Sequence, residues 1–512
     1  MKRGPIFAVA AMAAMSASAV LRLAGPFTDG AVLQRGMKVP VWGWADPGEE
    51  VSVSFAGQTK SAKADEKGAW RVDLDPLETS CEGRDLVISS NRTIEQSNNP
   101  TILHDVLVGE VWFVSGQSNC ELPLCGAPHS GDRNGHAVAQ KTRLPLVRFC
   151  RPDASRIEAT PQDMPSRPVK WLPFLPENLL GHGRSFSAIG FYFGLELHNA
   201  LRIPVGLIGA YWGGTCIDPW IPKTGYEGHP DLKDIAEWPT SMTWDGKSPK
   251  SLWTHSRVRD QPSVIWNAMV NPWCPYAMRG FIWYQGEANS RQPERYASQM
   301  HALYDGWAKR FENPDLKLYF VQLAPWGFEG IARIQEAQAQ FEREEPHAGM
   351  AVVNDLGNLD DIHPNEKGTV GLRLALHALK RDYGFGDIQD NSPTLRDWRI
   401  EGDTFVLSFD NAKSLYMYTR DFSIDTPFEI AGADGVFKPA RIANLKPGTE
   451  GRRPKGGIEG TELRVRAEGV EKPVGLRYLH SRPWTGTVYN EADLPLGAFH
   501  IGEFTEASGN AP

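Results

Sequence analysis

Residues 107–124 read LVGEVWFVSGQSNCELPL, and this stretch decides the fold. Val111, Trp112, Phe113 and Val114 make a short apolar, β-favouring run of the kind buried on both faces of a parallel sheet. Ser115, Gly116, Gln117, Ser118 and Asn119 end that run in small and polar residues. A buried strand that stops so abruptly sets its last side chains at the carboxyl edge of the sheet, where open α/β folds bind ligands. Ser118 is therefore a candidate nucleophile on a tight turn with backbone N–H groups beside it. A lone serine in a glycine turn is more often an ordinary loop, so the rest of the chain must supply a base and an oxyanion site.

Outward from this stretch, strands and helices alternate. Residues 203–210, 279–284, 316–323 and 350–353 have the composition of further buried strands, and 186–201, 296–311, 331–343 and 369–383 the spacing of helices. This alternation predicts an α/β domain with a parallel sheet over 106–387. Residues 20–105 alternate apolar and polar positions between turns such as Asp46-Pro47-Gly48, which predicts an N-terminal β-sandwich-like domain. Residues 388–512 return to strand patterns, a second β-sandwich-like domain with a disordered tail from Glu503. Residues 222–263 fit neither pattern and read as a loop-rich excursion near the mouth of the site.

The chain of 512 residues exceeds what one core accommodates. Its 54 basic against 62 acidic side chains give a net charge of −8, which argues against a nucleic-acid partner. Lys2 and Arg3, the apolar 5–15 and Ala17-Ser18-Ala19 have the order of a secretory leader, so residues 1–19 are expected to be removed and the protein exported to the periplasm or medium. No later segment is apolar enough to span a bilayer. Export permits disulfides among Cys81, Cys120, Cys125, Cys150, Cys216 and Cys274, in a pairing that spacing leaves open. No CxxC pair or Cys/His cluster suggests zinc, and neither a metal nor a cofactor is expected.

Three further pieces fall where the pattern puts strand ends: Trp212-Gly213-Gly214-Thr215, Gln285-Gly286-Glu287-Ala288-Asn289, and Asp360-Asp361-Ile362-His363-Pro364. Acyl transfer needs these residue types. A serine hydroxyl needs a base, and His363 is the natural one near neutral pH. An acid fixes the imidazole tautomer, and Asp360 can fold back onto the ring if the segment turns. The backbone N–H groups of Ser118 and Gly214 and the amide of Gln285 are candidate oxyanion donors. Glu287 and Asn289 are placed to bind substrate. Each piece alone has an ordinary structural use, Asp360 as a helix cap for instance. Their joint position on one sheet edge favours catalysis.

In this order the blocks resemble the SGNH hydrolase superfamily, and most of all the sialate O-acetylesterase family of carbohydrate esterases. The matching text is LVGEVWFVSGQSN, PVGLIGAYWGGTCIDPW, PSVIWNAMVNPWCPYAMRGFIWYQGEAN and DLGNLDDIHPNEKGTVGLRLAL, with VLQRGMKVPVWGWADPGEEVSVSFAGQT and FEIAGADGVFKPA in the flanks. The resemblance implies a three-layer α/β/α esterase domain acting on acetylated sugars without a metal. It implies Ser118 as nucleophile, His363 as base, Gly214 and Gln285 at the oxyanion positions and Asp360 as acid, with Asp361 or a Ser–His dyad as alternatives. Cys120 departs from the methionine usual in the family. Sialosides, acetylated plant hemicellulose, or a carbohydrate-binding protein without turnover are the functional readings it leaves, and oligomeric state stays open.

Overall fold

A computed structural model of the chain describes residues 21–91, 100–126, 131–181, 186–238, 258–326, 329–357, 361–419, 427–446, 455–458, 461–480 and 486–502. The expected leader at 1–19, the expected disordered tail and part of the 222–263 stretch lie outside them. Six parallel strands form the central sheet, in the order Leu144–Cys150, Val205–Tyr211, Thr101–Gly116, Gly280–Tyr284, Lys317–Val321 and Ala348–Ala351. Leu172–Phe174 adds an antiparallel strand at one edge. That strand and Leu144–Cys150 were not legible in the sequence. The first is only three residues long and has Pro173 at its centre, too short to show a period.

Thr101–Gly116 sits at the middle, and every residue from Val106 to Gly116 is buried, as a strand covered on both faces requires. Its two neighbours follow it in the chain but lie on opposite sides: Tyr211 and Tyr284 both pair with Gly116. The connection direction therefore reverses at the carboxyl end of this strand, the switch point at which α/β folds open a crevice. Helix Ala188–Leu201 packs on Lys367–Tyr383, and Tyr296–Arg310 on Glu329–Glu344. The first contact needs the glycine in the last helix, since a Cβ on Gly371 would sit 2.6 Å from the Cβ of Tyr192.

The amino-terminal strands are not set apart from this sheet. Val32–Gln34 and Ser80–Ser90 pair with the first half of Thr101–Gly116, so the boundary expected at 105/106 falls inside one strand. Both halves bury side chains in one hydrophobic core, from Val53 and Trp70 to Trp112 and Trp307. A second core gathers the carboxyl-terminal strands, among them Thr404–Asp410, Glu462–Ala467 and Gly475–Tyr478. The chain is thus an α/β protein with a mainly parallel central sheet and β-rich flanks. Among the described residues no helix is long and apolar enough to cross a membrane. The six cysteines form no disulfide.

Candidate active site

Gly116 ends the central strand at φ +140, and a Cβ there would lie 2.2 Å from the carbonyl oxygen of Tyr284. Only glycine lets the chain turn this close to its neighbour. Gln117 follows in extended geometry and Ser118 opens a single helical turn, Ser118–Glu121. Residues after Ala348–Ala351 lead to His363. Its Nε2 stands 3.0 Å from Ser118 Oγ, although the two residues are 245 positions apart.

Among the described residues the carboxylate on this histidine is Asp361. Its Oδ1 accepts from the His363 backbone N–H at 2.9 Å and lies 3.1 Å from Nδ1 of the ring. Asp360, the acid favoured by the spacing, lies outside the described residues. Burial lowers the pKa of His363, and the nearby Lys367 ammonium acts in the same direction while Asp361 opposes both. The imidazole is therefore neutral, as a base must be, to lower pH than a free one. Burial also pushes the Cys120 thiol up to about 12, so it does not compete as a nucleophile two positions from Ser118.

Gly213 and Gly214 form the wall beside the serine. A Cβ on Gly213 would lie 3.3 Å from that of Ser118. The Gly213 N–H donates to Glu121 Oε2 at 2.6 Å, and Glu121 is in turn paired with Arg151 at 2.8 Å. Gly214 has φ +67, and Arg259 donates to its carbonyl at 2.7 Å and to that of Gly213 at 3.3 Å. Arg259 closes the 222–263 excursion, which thus returns to the site. No described group accepts from the N–H of Ser118 or Gly214.

Gln285, expected as an oxyanion donor, has its amide occupied by hydrogen bonds within the protein. It is fully buried, and its Nε2 has three acceptors: Asn289 Oδ1 at 2.7 Å, Thr215 O at 3.1 Å and Gln117 Oε1 at 3.2 Å. The Tyr296 hydroxyl donates to its other side-chain atom at 2.8 Å. Asn289 is the residue this clamp orients. Its Oδ1 also accepts from the Ile217 N–H at 3.1 Å, while its Nδ2 has no partner among the described residues. Motif position identified the segment but not which of its amides is spent on structure.

Glu287, expected to meet substrate, instead turns inward. Its Oε1 accepts from Asn119 Nδ2 at 2.6 Å, and its Oε2 is buried without a partner among the described residues. Asn119 also donates to the carbonyl of Ile362 at 3.1 Å and accepts from the buried Lys367 ammonium at 2.6 Å. Burial, resisted by the charge of Glu287, brings Lys367 down to about 8. The Asn119–Glu287–Lys367 cluster therefore ties the residue after the serine to the residue before the histidine. Sequence reasoning missed Asn119, Lys367, Glu121 and Arg259. The first sits in the SGQSN block itself, but the others carry no signal beyond their charge.

Residues 182–380 match the family model described as carbohydrate esterase, sialic acid-specific acetylesterase. Among curated relatives, the sialate O-acetylesterase of Homo sapiens is 29% identical over 394 residues, covering 69% of each chain. That of Mus musculus is 28% identical over 478 residues, covering 84% of this chain and 86% of the relative. Among solved structures, a carbohydrate acetylesterase from Xanthomonas citri superposes with a TM-score of 0.78 at 28% identity, covering 95% of this chain and all of that one (100%).

Proposed function

Because this chain belongs to the sialate O-acetylesterase-like carbohydrate esterases of the SGNH superfamily, and is a carboxylic ester hydrolase, we propose that it removes acetyl groups from sugar hydroxyls through an acyl-enzyme formed on Ser118. The observation that carries this mechanism is the 3.0 Å contact between Ser118 Oγ and His363 Nε2. His363 takes the hydroxyl proton as Oγ attacks the acetyl carbonyl, and returns it to the departing sugar oxygen. Asp361 holds the tautomer with the proton on Nδ1. The oxyanion is met by the N–H groups of Ser118 and Gly214 and by Nδ2 of Asn289, which takes the place expected for Gln285. Water activated by His363 then releases acetate. The two helix pairs on the parallel sheet support a three-layer α/β/α esterase domain, and residues 1–19 support export.

O-acetylated sialic acid is the substrate class favoured by the relatives' names, with acetylated hemicellulose as its competitor. The test is acetate release from a chromogenic acetyl ester, followed by O-acetylated sialosides, acetyl-xylan and acetyl-xyloglucan side by side. Ser118→Ala should lose at least about 10³-fold in rate, since the nucleophile and base act as a unit. Equal rates for variant and wild type overturn the mechanism, and preference for either polysaccharide overturns the sialic acid assignment.

A further inference from the structure

A second cluster of chemically competent side chains lies where the carboxyl-terminal strands meet the helix Glu329–Glu344, and it shares no residue with the site above. Glu336, on that helix, has its Oε1 2.8 Å from Nε2 of His480 and 2.5 Å from Nδ1 of His500. The three ligand atoms lie within 4.8 Å of one another. His480 follows the strand Gly475–Tyr478, and His500 lies in Phe499–Ile501, which pairs with it. Side-chain exposure rises from 8% at His480 through 22% at Glu336 to 43% at His500. The cluster is therefore anchored on one side and open on the other. Glu336 and His500 line a cavity of about 950 Å³, which gives an ion an entry path and room for bound water.

Two imidazole nitrogens and one carboxylate oxygen, with a position left for water, are the ligand set of a borderline divalent metal rather than of Ca²⁺ or Mg²⁺. In a tetrahedral zinc site the ligand atoms stand about 3.3 Å apart. The carboxylate–imidazole separations need open by less than about 1 Å to reach this, and the half-exposed ring of His500 can supply that movement. Arg333, one turn before Glu336, lines the same cavity with Arg343, Arg381 and Arg396, and these cations oppose binding. We propose that Glu336, His480 and His500 form a binding site for a divalent transition metal, Zn²⁺ by its ligand set, which fastens the carboxyl-terminal strands to the helix Glu329–Glu344. Binding exchanges the two imidazole-to-carboxylate contacts for three metal–ligand bonds and releases any proton the imidazoles share with the carboxylate.

The full chain, free of any affinity tag, is stripped with a chelator and titrated with Zn²⁺ near pH 7.5 by calorimetry, with thermal unfolding in parallel. One Zn²⁺ per chain and a Tm that rises with free Zn²⁺ are expected. His500→Ala and Glu336→Gln should each weaken binding by at least about 100-fold and abolish the Tm rise, with kcat/KM for the acetyl ester unchanged. Co²⁺ should give a visible absorption band that both variants lose. No uptake by the wild type overturns the proposal. Equal affinity in wild type and variants does so too, as does a Tm insensitive to Zn²⁺ but dependent on these side chains, the behaviour of a hydrogen-bonded clasp alone.

Discussion

His363 works in an environment set by charges on two sides, and its titration is the most direct readout of the site. With burial and Lys367 lowering its pKa, the acid limb of kcat/KM should fall below the reference of about 6.5. Activity rises with pH through that limb because the neutral ring is the active form. Lys367→Met removes a positive charge that disfavours the imidazolium, so its limb should move to higher pH. A limb that stays or moves down would dissociate Lys367 from the base. The amide donors separate in the same assay. Asn289→Ala should lower kcat by about 10²–10³-fold with little change in KM, the loss typical of one oxyanion donor. If KM rises while kcat holds, Asn289 binds ground-state substrate instead. The Gln285 amide reaches Asn289 at 2.7 Å, so under the proposed mechanism Gln285 acts by positioning that donor.

At the scale of elements, the site is three strand ends and a loop held in mutual register by side chains that hydrogen-bond from one end to the next. Gln117 joins the first end to the third, its Oε1 accepting from Gln285 Nε2 and from the Ala288 N–H, each at 3.2 Å. Glu121 joins the first to the second through Gly213. Glu121→Ala should therefore release the glycine turn that presents the Gly214 N–H. The expected result is a fall in kcat of about 10-fold or more, with partial recovery in Glu121→Gln, whose amide oxygen still accepts from Gly213. Unchanged kcat in the alanine variant would mean that Arg259 alone holds the turn. Apart from Leu144–Cys150 and Leu172–Phe174, the elements of the central sheet were legible because buried parallel strands are apolar runs and their helices keep a 3.6-residue period. The junctions were not, because a hydrogen bond between Glu121 and Gly213 has no sequence period.

Over the whole molecule, Glu110 shows why the amino-terminal strands belong to the esterase sheet. This fully buried carboxylate accepts from Arg35 at 2.6 Å, from Tyr383 at 2.9 Å, from Gln34 at 3.0 Å and from Arg279 at 3.3 Å. It thus joins the first strands to the central sheet and to the last helix. Removing one partner of such a network typically costs about 3–5 kcal/mol, because the others stay buried without it. Glu110→Ala should lower stability by about that amount in urea. Its loss of acetylesterase activity should coincide with loss of tryptophan fluorescence from the amino-terminal strands. Two well-separated transitions over these regions would show that they fold independently, as a boundary at 105/106 implies.

Local chemistry in the sequence by itself determined the α/β core, the serine at the sheet edge, the glycine wall and the histidine. Each is written in a contiguous stretch whose apolar pattern or small residues require one backbone geometry. Tertiary structure alone decided that Asp361 contacts the base, that Asn289 rather than Gln285 keeps an amide nitrogen open, and that Glu287 turns inward. It alone brought Glu336 to His480 and His500, 144 and 164 positions away. Side-chain partners at such separations depend on how rigid elements pack, and packing is a property of the assembled core that no short stretch of the chain contains.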